Sequence, residues 1–157
     1  MDARAGSRLL VLFGWWNLVF ALLHVVIIVV GGAGYRYFGA GEGMAKAADA
    51  GELRPTVITA GLTVMFAVFG MYALSAAGRF RHLPAAKYVV AGIGVLYLLR
   101  GLLAAPQAWW AYTHPGVVPG RFVMFSCFAL LMGIVCLQGV ALVWKTPALR
   151  PAEITHS

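Results

Sequence analysis

Residues 88–105 read YVVAGIGVLYLLRGLLAA, and the fold is decided by that stretch. Apart from Arg100 it carries no charge, and the apolar run continues to Ala108. A helix needs roughly 20 apolar residues to cross a hydrocarbon layer of about 30 Å. Three more runs meet that length: Leu9–Val30, Pro55–Ala77 and Phe122–Trp144. The sequence therefore predicts an all-α protein, an integral membrane four-helix transmembrane bundle. It has one domain, residues 1–145, with spans at about 9–30, 55–77, 88–108 and 122–144. The remainder, 146–157, reads as a flexible cytoplasmic tail.

Composition supports the same reading. The chain has 157 residues, 62% hydrophobic and 11% charged, and a mean hydropathy of +0.85. A soluble domain carries about 25% charged residues, so this surface must meet lipid. The net charge of +7 does not mark a nucleic-acid protein, because its placement follows the spans. Arg4, Arg8, Arg79, Arg81, Lys87, Lys145 and Arg150 flank one side. Arg36, Lys46, Arg54 and Arg121 flank the other, diluted by Glu42, Asp49 and Glu52. Excess Lys and Arg marks the cytoplasmic side. Both termini and the 78–87 loop are then expected inside, in a multi-pass protein of the bacterial inner membrane. The first run is about 22 residues, beyond the 7–15 of a cleaved signal, so a retained signal-anchor helix is expected.

Between spans one and two, Tyr35 to Glu42 reads as an outer loop and Met44 to Ala50 as a short outer-loop helix stopped by Gly51. The tight basic loop with Gly78 and Pro84 predicts that spans two and three are antiparallel neighbours. Trp109, Trp110 and Tyr112 read as an interfacial aromatic loop. Gly92, Gly94 and Gly101 on span three invite close helix contact, within the chain or in a homo-oligomer.

Arg100 sets the functional question. A charge at mid-bilayer costs roughly 2.5–3.5 kcal/mol on insertion scales, so a partner, a cavity or a ligand must offset it. Depth along each helix groups further polar residues with it. His24, Thr59, Thr63 and Ser126 fall in the same half of the bilayer, and Tyr97 and Gln107 share a face with Arg100. These seven residues predict one outward-facing polar pocket that binds or transports a small polar or anionic ligand. Tyr35, Arg36 and Glu42 would form its lid, with Glu42 as the counter-charge of Arg100. Each residue also has a plainer role. Arg100 snorkels to headgroups, His24 is a hydrogen-bonded packing residue, and Thr59 and Thr63 bond back to their own helix. Two other functions compete. One is an accessory subunit whose Arg100 pairs with an acid of a larger membrane partner, favoured if Arg100 faces out of the bundle. The other is a membrane enzyme acting on a lipid or quinone with His24 as base.

Enzyme and cofactor signatures are missing. There is no His-x-x-x-His, Cys-x-x-Cys or Glu-x-x-His spacing and no nucleophile or phosphate-loop motif. No cofactor and no metal site is expected. Cys127 and Cys136 lie nine apart on one helix, on opposite faces, and read as small hydrophobes. His24 in span one, the stretch from Tyr35 to Glu42, and Tyr97 with Arg100 and Gly101 carry a resemblance. With them the chain resembles small, uncharacterised four-span bacterial inner-membrane proteins. That resemblance implies an all-helical fold and no function.

Overall fold

The computed structural model describes residues 3–116 and 119–145, so the expected tail lies outside the described residues. Within them the chain is all-helical. Seven helices follow in order: α1 Ala3–Val30, α2 Gly32–Phe38, α3 Glu42–Asp49, α4 Leu53–Ala76, α5 Ala86–Leu102, α6 Ala104–Thr113 and α7 Gly120–Trp144. Four stretches are long and apolar enough to cross a membrane: α1, α4, α5 with α6, and α7. One end of the bundle carries the α2–α3 hairpin. The other carries the start of α1, the end of α7 and the α4–α5 loop.

The third span is broken, and Pro106 explains the break. Proline has no N–H to offer the Leu102 carbonyl, and its ring crowds that position. The helix ends at Leu102 and resumes with Gln107 N–H donating to Leu103 O at 3.1 Å. Trp109, Trp110 and Tyr112, expected in a loop, are instead exposed on α6.

The stretch from Tyr35 to Glu42 is also more ordered than a loop. Tyr35–Phe38 completes α2, which ends at Gly39 with φ +80°. That backbone angle suits a residue without a Cβ and turns the chain into α3. The short helix expected over Met44–Ala50 is present as α3, followed by Gly51 at φ +75°. Tyr35, 2% exposed, packs with Ile27 and Ala45 and holds the hairpin onto α1. On the other flank, Phe38 stacks on Phe125 with centroids 6.1 Å apart, and Arg121 Nε donates to Tyr37 O at 2.9 Å. The hairpin thus sits on the ends of α1 and α7.

Packing follows glycines spaced for close helix approach. Gly14 and Gly70 press α1 against α4, each ideal Cβ falling 3.2 Å or less from the other's carbonyl oxygen. Gly6 and Gly139 do the same for α1 and α7. Gly94, Gly101 and Gly133 line the α5–α7 contact. The most extensive pairs are therefore α1 with α4 and α5 with α7, while α4 and α5 touch less despite their short loop. The tight loop sets their sequence order; the glycines set who packs closest. Gly92, by contrast, faces open space.

The larger core cluster includes Leu10, Phe13, Ala73, Ile93, Tyr97, Met132 and Cys136; the smaller one is that of Ile27, Tyr35 and Ala45 under the hairpin. Cys136 is buried and Cys127 exposed, as their opposite faces require.

Candidate functional site

The membrane-depth polar residues do not form one group, and on α5 the split follows the helix face. On α5 the buried positions are Val90, Ile93, Gly94, Tyr97 and Gly101. Their three-and-four spacing marks the stripe that faces the bundle. Tyr97 is on it. Arg100, one residue short of Gly101, is turned by about 100° and is exposed.

Tyr97 accordingly leaves the Arg100 group. Its hydroxyl donates to Asn17 Oδ1 at 2.8 Å, and Asn17 Nδ2 donates to Phe13 O at 2.8 Å. Asn17 is fully buried and Phe13 meets the Tyr97 ring edge-on at 5.2 Å. With no water in the bilayer core, buried polar groups must satisfy one another. This pair ties α1 to α5 across the bundle.

Arg100, Ser126 and Gln107 do come together, from α5, α7 and α6. Arg100 Nη1 donates to Ser126 Oγ at 2.5 Å, and Ser126 Oγ donates to Gln107 Oε1 at 2.6 Å. Ser126 is fully buried. The break at Leu103 lets α6 follow α7 with Gln107 turned to it. Gln107 presents its oxygen to Ser126, so its NH2 donors point away from the pair.

Register fixes the depth. Gly101 lies against Leu130, Gly133 against Leu98 and Gly94 against Leu137. Ser126 is then about five residues, or about 7 Å, toward the hairpin end from the level of Arg100. Side chains lean toward the helix N-terminus; Arg100 reaches the opposite way. The polar partner, and the direction of water, set its course.

The other expected members stay local. His24 Nδ1 lies 2.7 Å from Phe20 O, four residues back, which requires the proton on Nδ1. Its ring lies 4.9 Å from that of Phe66. Thr63 Oγ1 donates to Thr59 O at 3.0 Å, and Thr59 is buried on α4. These bonds close within α1 and α4, and no contact joins them to Arg100 among the described residues.

The expected counter-charge is placed elsewhere. Glu42 does not pair with Arg100. Arg36 holds it at 3.1 Å and holds Asp49 at 2.7 Å, because Gly39 folds α2 back along α3. The bonds from Glu42 first, then Asp49, keep the Arg36 guanidinium charged above its ordinary range. All three side chains are half-exposed. Tyr35, expected at a pocket mouth, is buried instead, and its hydroxyl has no partner.

Two pieces of this arrangement were open to sequence reasoning and missed. The 90–94–97–101 spacing already puts Tyr97 on the bundle face and Arg100 beside it. Asp49, closing α3 seven residues after Glu42, was a second acid within reach of Arg36. Among the described residues no group of three His, Cys, Asp or Glu side chains is placed to hold a metal ion. No protein-family model, curated protein or solved structure matches the chain.

Proposed function

We propose that this multi-pass membrane protein binds a small anionic group where Arg100, Ser126 and Gln107 meet. One observation carries the reading. Arg100 is a cation within a membrane span, bonded to a neutral serine, and among the described residues the ion pairs formed are those of Arg36. A guanidinium has five N–H donors, and a neutral hydroxyl does not balance its charge. The balance comes from outside the chain.

The orientation belongs to the same proposal. Arg4, Arg8, Arg79, Arg81, Lys87 and Lys145 gather at the end opposite the hairpin. We take that end as cytoplasmic and the hairpin end as outside, in a bacterial inner membrane. The site then lies in the outer half of the bilayer.

The test is thermal melting of the full chain in a nonionic detergent, with inorganic phosphate or phosphatidylglycerol added. At least one probe raises the melting temperature of the wild type and leaves Arg100→Leu unmoved. If neither probe separates the two proteins, the anion reading is wrong.

A second reading draws on the exposure of Arg100 between the exposed Leu96, Leu99 and Leu103. A carboxylate of a larger membrane partner would serve as counter-charge, and the chain would be an accessory subunit. Arg100→Leu would then release the partner during purification from native membranes while anionic probes had no effect.

A further inference from the structure

We infer that the anion taken by Arg100 is the phosphate of a membrane phospholipid, which enters sideways from the leaflet at the hairpin end and lays an acyl chain along α5. This rests on the anion-binding reading above and names its ligand class.

Access is the first ground. Gly92, Leu96 and Arg100 follow at four-residue intervals on one face of α5, and all three are exposed. The surface leading to the guanidinium along this helix is apolar. A lipid brings its own hydrocarbon to such a surface; a hydrated free anion must shed water to cross it.

Depth is the second. Ser126 is level with residue 105 in the α5–α7 register. Trp109 and Trp110 stand about one turn, or roughly 6 Å, further toward the hairpin end. Tryptophan is enriched at headgroup level, and Trp109 and Trp110 are both exposed. The outward reach of Arg100 therefore brings its guanidinium within about one helical turn of the phosphates.

Shape is the third. A Cβ added at Gly92 would meet nothing within 4 Å. The face is open there, about 12 Å below Arg100 along the axis. The apolar track runs from the charge toward the bilayer centre, as an acyl chain does.

Donor geometry is the fourth. Nη1 is committed to Ser126. The guanidinium's remaining N–H groups offer a planar fork that matches two phosphate oxygens.

The experiment presents the full chain in nonionic detergent with phosphatidylglycerol or with inorganic phosphate. Bound lipid is counted by native mass spectrometry and melting is followed in parallel. Phosphatidylglycerol stays on the wild type, and Arg100→Leu weakens it about tenfold or more. Arg100→Lys falls between, because an ammonium lacks the fork. Arg54→Leu removes the same charge from the same end of the bundle and leaves lipid binding unchanged. If Arg100→Leu does not fold, Arg100→Lys and Ser126→Ala carry the comparison, and lipid binding indifferent to both sinks the proposal. Inorganic phosphate acting as strongly as the lipid, through Arg100, would leave the anion reading standing and remove the lipid. Equal losses in Arg54→Leu and Arg100→Leu would reduce the site to diffuse surface charge. Silence of both probes would remove this inference together with the reading beneath it.

Discussion

Gly133→Ala tests a close helix contact between α5 and α7. An ideal Cβ on Gly133 would lie 2.7 Å from Leu98 N and 2.9 Å from Leu98 Cδ2. Leucine side chains swing aside, but a backbone nitrogen moves only with its helix. An ordinary contact is about 3.5 Å or more, so α5 and α7 must part by about 0.8 Å at this level. A gap of that size forfeits a quarter to a half of each local van der Waals contact. Overpacking of this kind costs about 1–3 kcal/mol. Alanine returns up to about 1 kcal/mol through its better helix propensity. The net loss is up to about 2 kcal/mol, or up to roughly 8 °C in melting temperature for a chain of this size, and the offset from an unobstructed Gly→Ala change is the full overpacking cost. Gly61 and Gly92 provide internal controls, since a Cβ on either meets nothing within 4 Å. Gly61→Ala and Gly92→Ala should melt at or slightly above the wild-type temperature. Detergent-solubilised protein followed by circular dichroism suffices for all three. If Gly133→Ala melts with the two controls, the close approach of α5 and α7 is wrong, and the register that sets the depth of Arg100 goes with it.

Reporter fusions at Gly78 and Gly116 should show opposite sidedness, with Gly116 outside; a cytoplasmic signal at Gly116 would invert the proposed orientation. Asn17→Ala and Tyr97→Phe should each destabilise the bundle by about 0.6–1.7 kcal/mol in detergent melts, and their double change should lose less than the sum. Strict additivity there would mean the two side chains are not bonded. Glu42→Gln and Arg100→Leu, in contrast, should add independently, because Arg36 holds Glu42; coupling between them would contradict the structure. The effect of Glu42→Gln on melting should shrink as salt rises, since the Arg36 cluster is half-exposed.

The spans were legible because lipid imposes a length and a composition that no other solvent does. The observed starts of α4 and α7 fall two residues before the apolar runs at Pro55 and Phe122. The loops were less legible. Tyr35–Phe38 and Trp109–Tyr112 carry the aromatic and small residues that serve equally in interfacial loops and interfacial helices. Sequence alone does not separate those, because neither composition nor a short window sets the helix ladder. Partner choice between spans was hidden for another reason. Loop length restricts which helices are joined, whereas the distance of closest approach depends on glycines that meet glycines or backbone across the interface. Gly14 with Gly70, and Gly6 with Gly139, lie in segments far apart in sequence.

The candidate site was half legible, and the missing half is a matter of angle. Depth along a helix groups residues from all four spans, but depth says nothing about azimuth. His24, Thr59 and Thr63 share a level with Ser126 and spend their bonds on α1 and α4. Azimuth is readable from the buried stripe of α5, where Tyr97 and Gly101 fall in step and Arg100 does not. A one-residue offset of about 100° thus carries the charge from the bundle axis to the α7 flank. There it meets Ser126 and the lipid-facing surface together. Glu42 fails as counter-charge for a separate reason, its pairing with Arg36. Its helix is tied to α2 by Arg36 and Asp49, and those three charges already leave one net negative charge shared among half-exposed groups. Transferring Glu42 to Arg100 would break a multiply bonded ion pair at the surface to make one at depth, with the desolvation cost that entails. On the proposed reading, the counter-charge of this cation, bonded to a serine on the flank of the bundle, is an anion that already lives in the membrane.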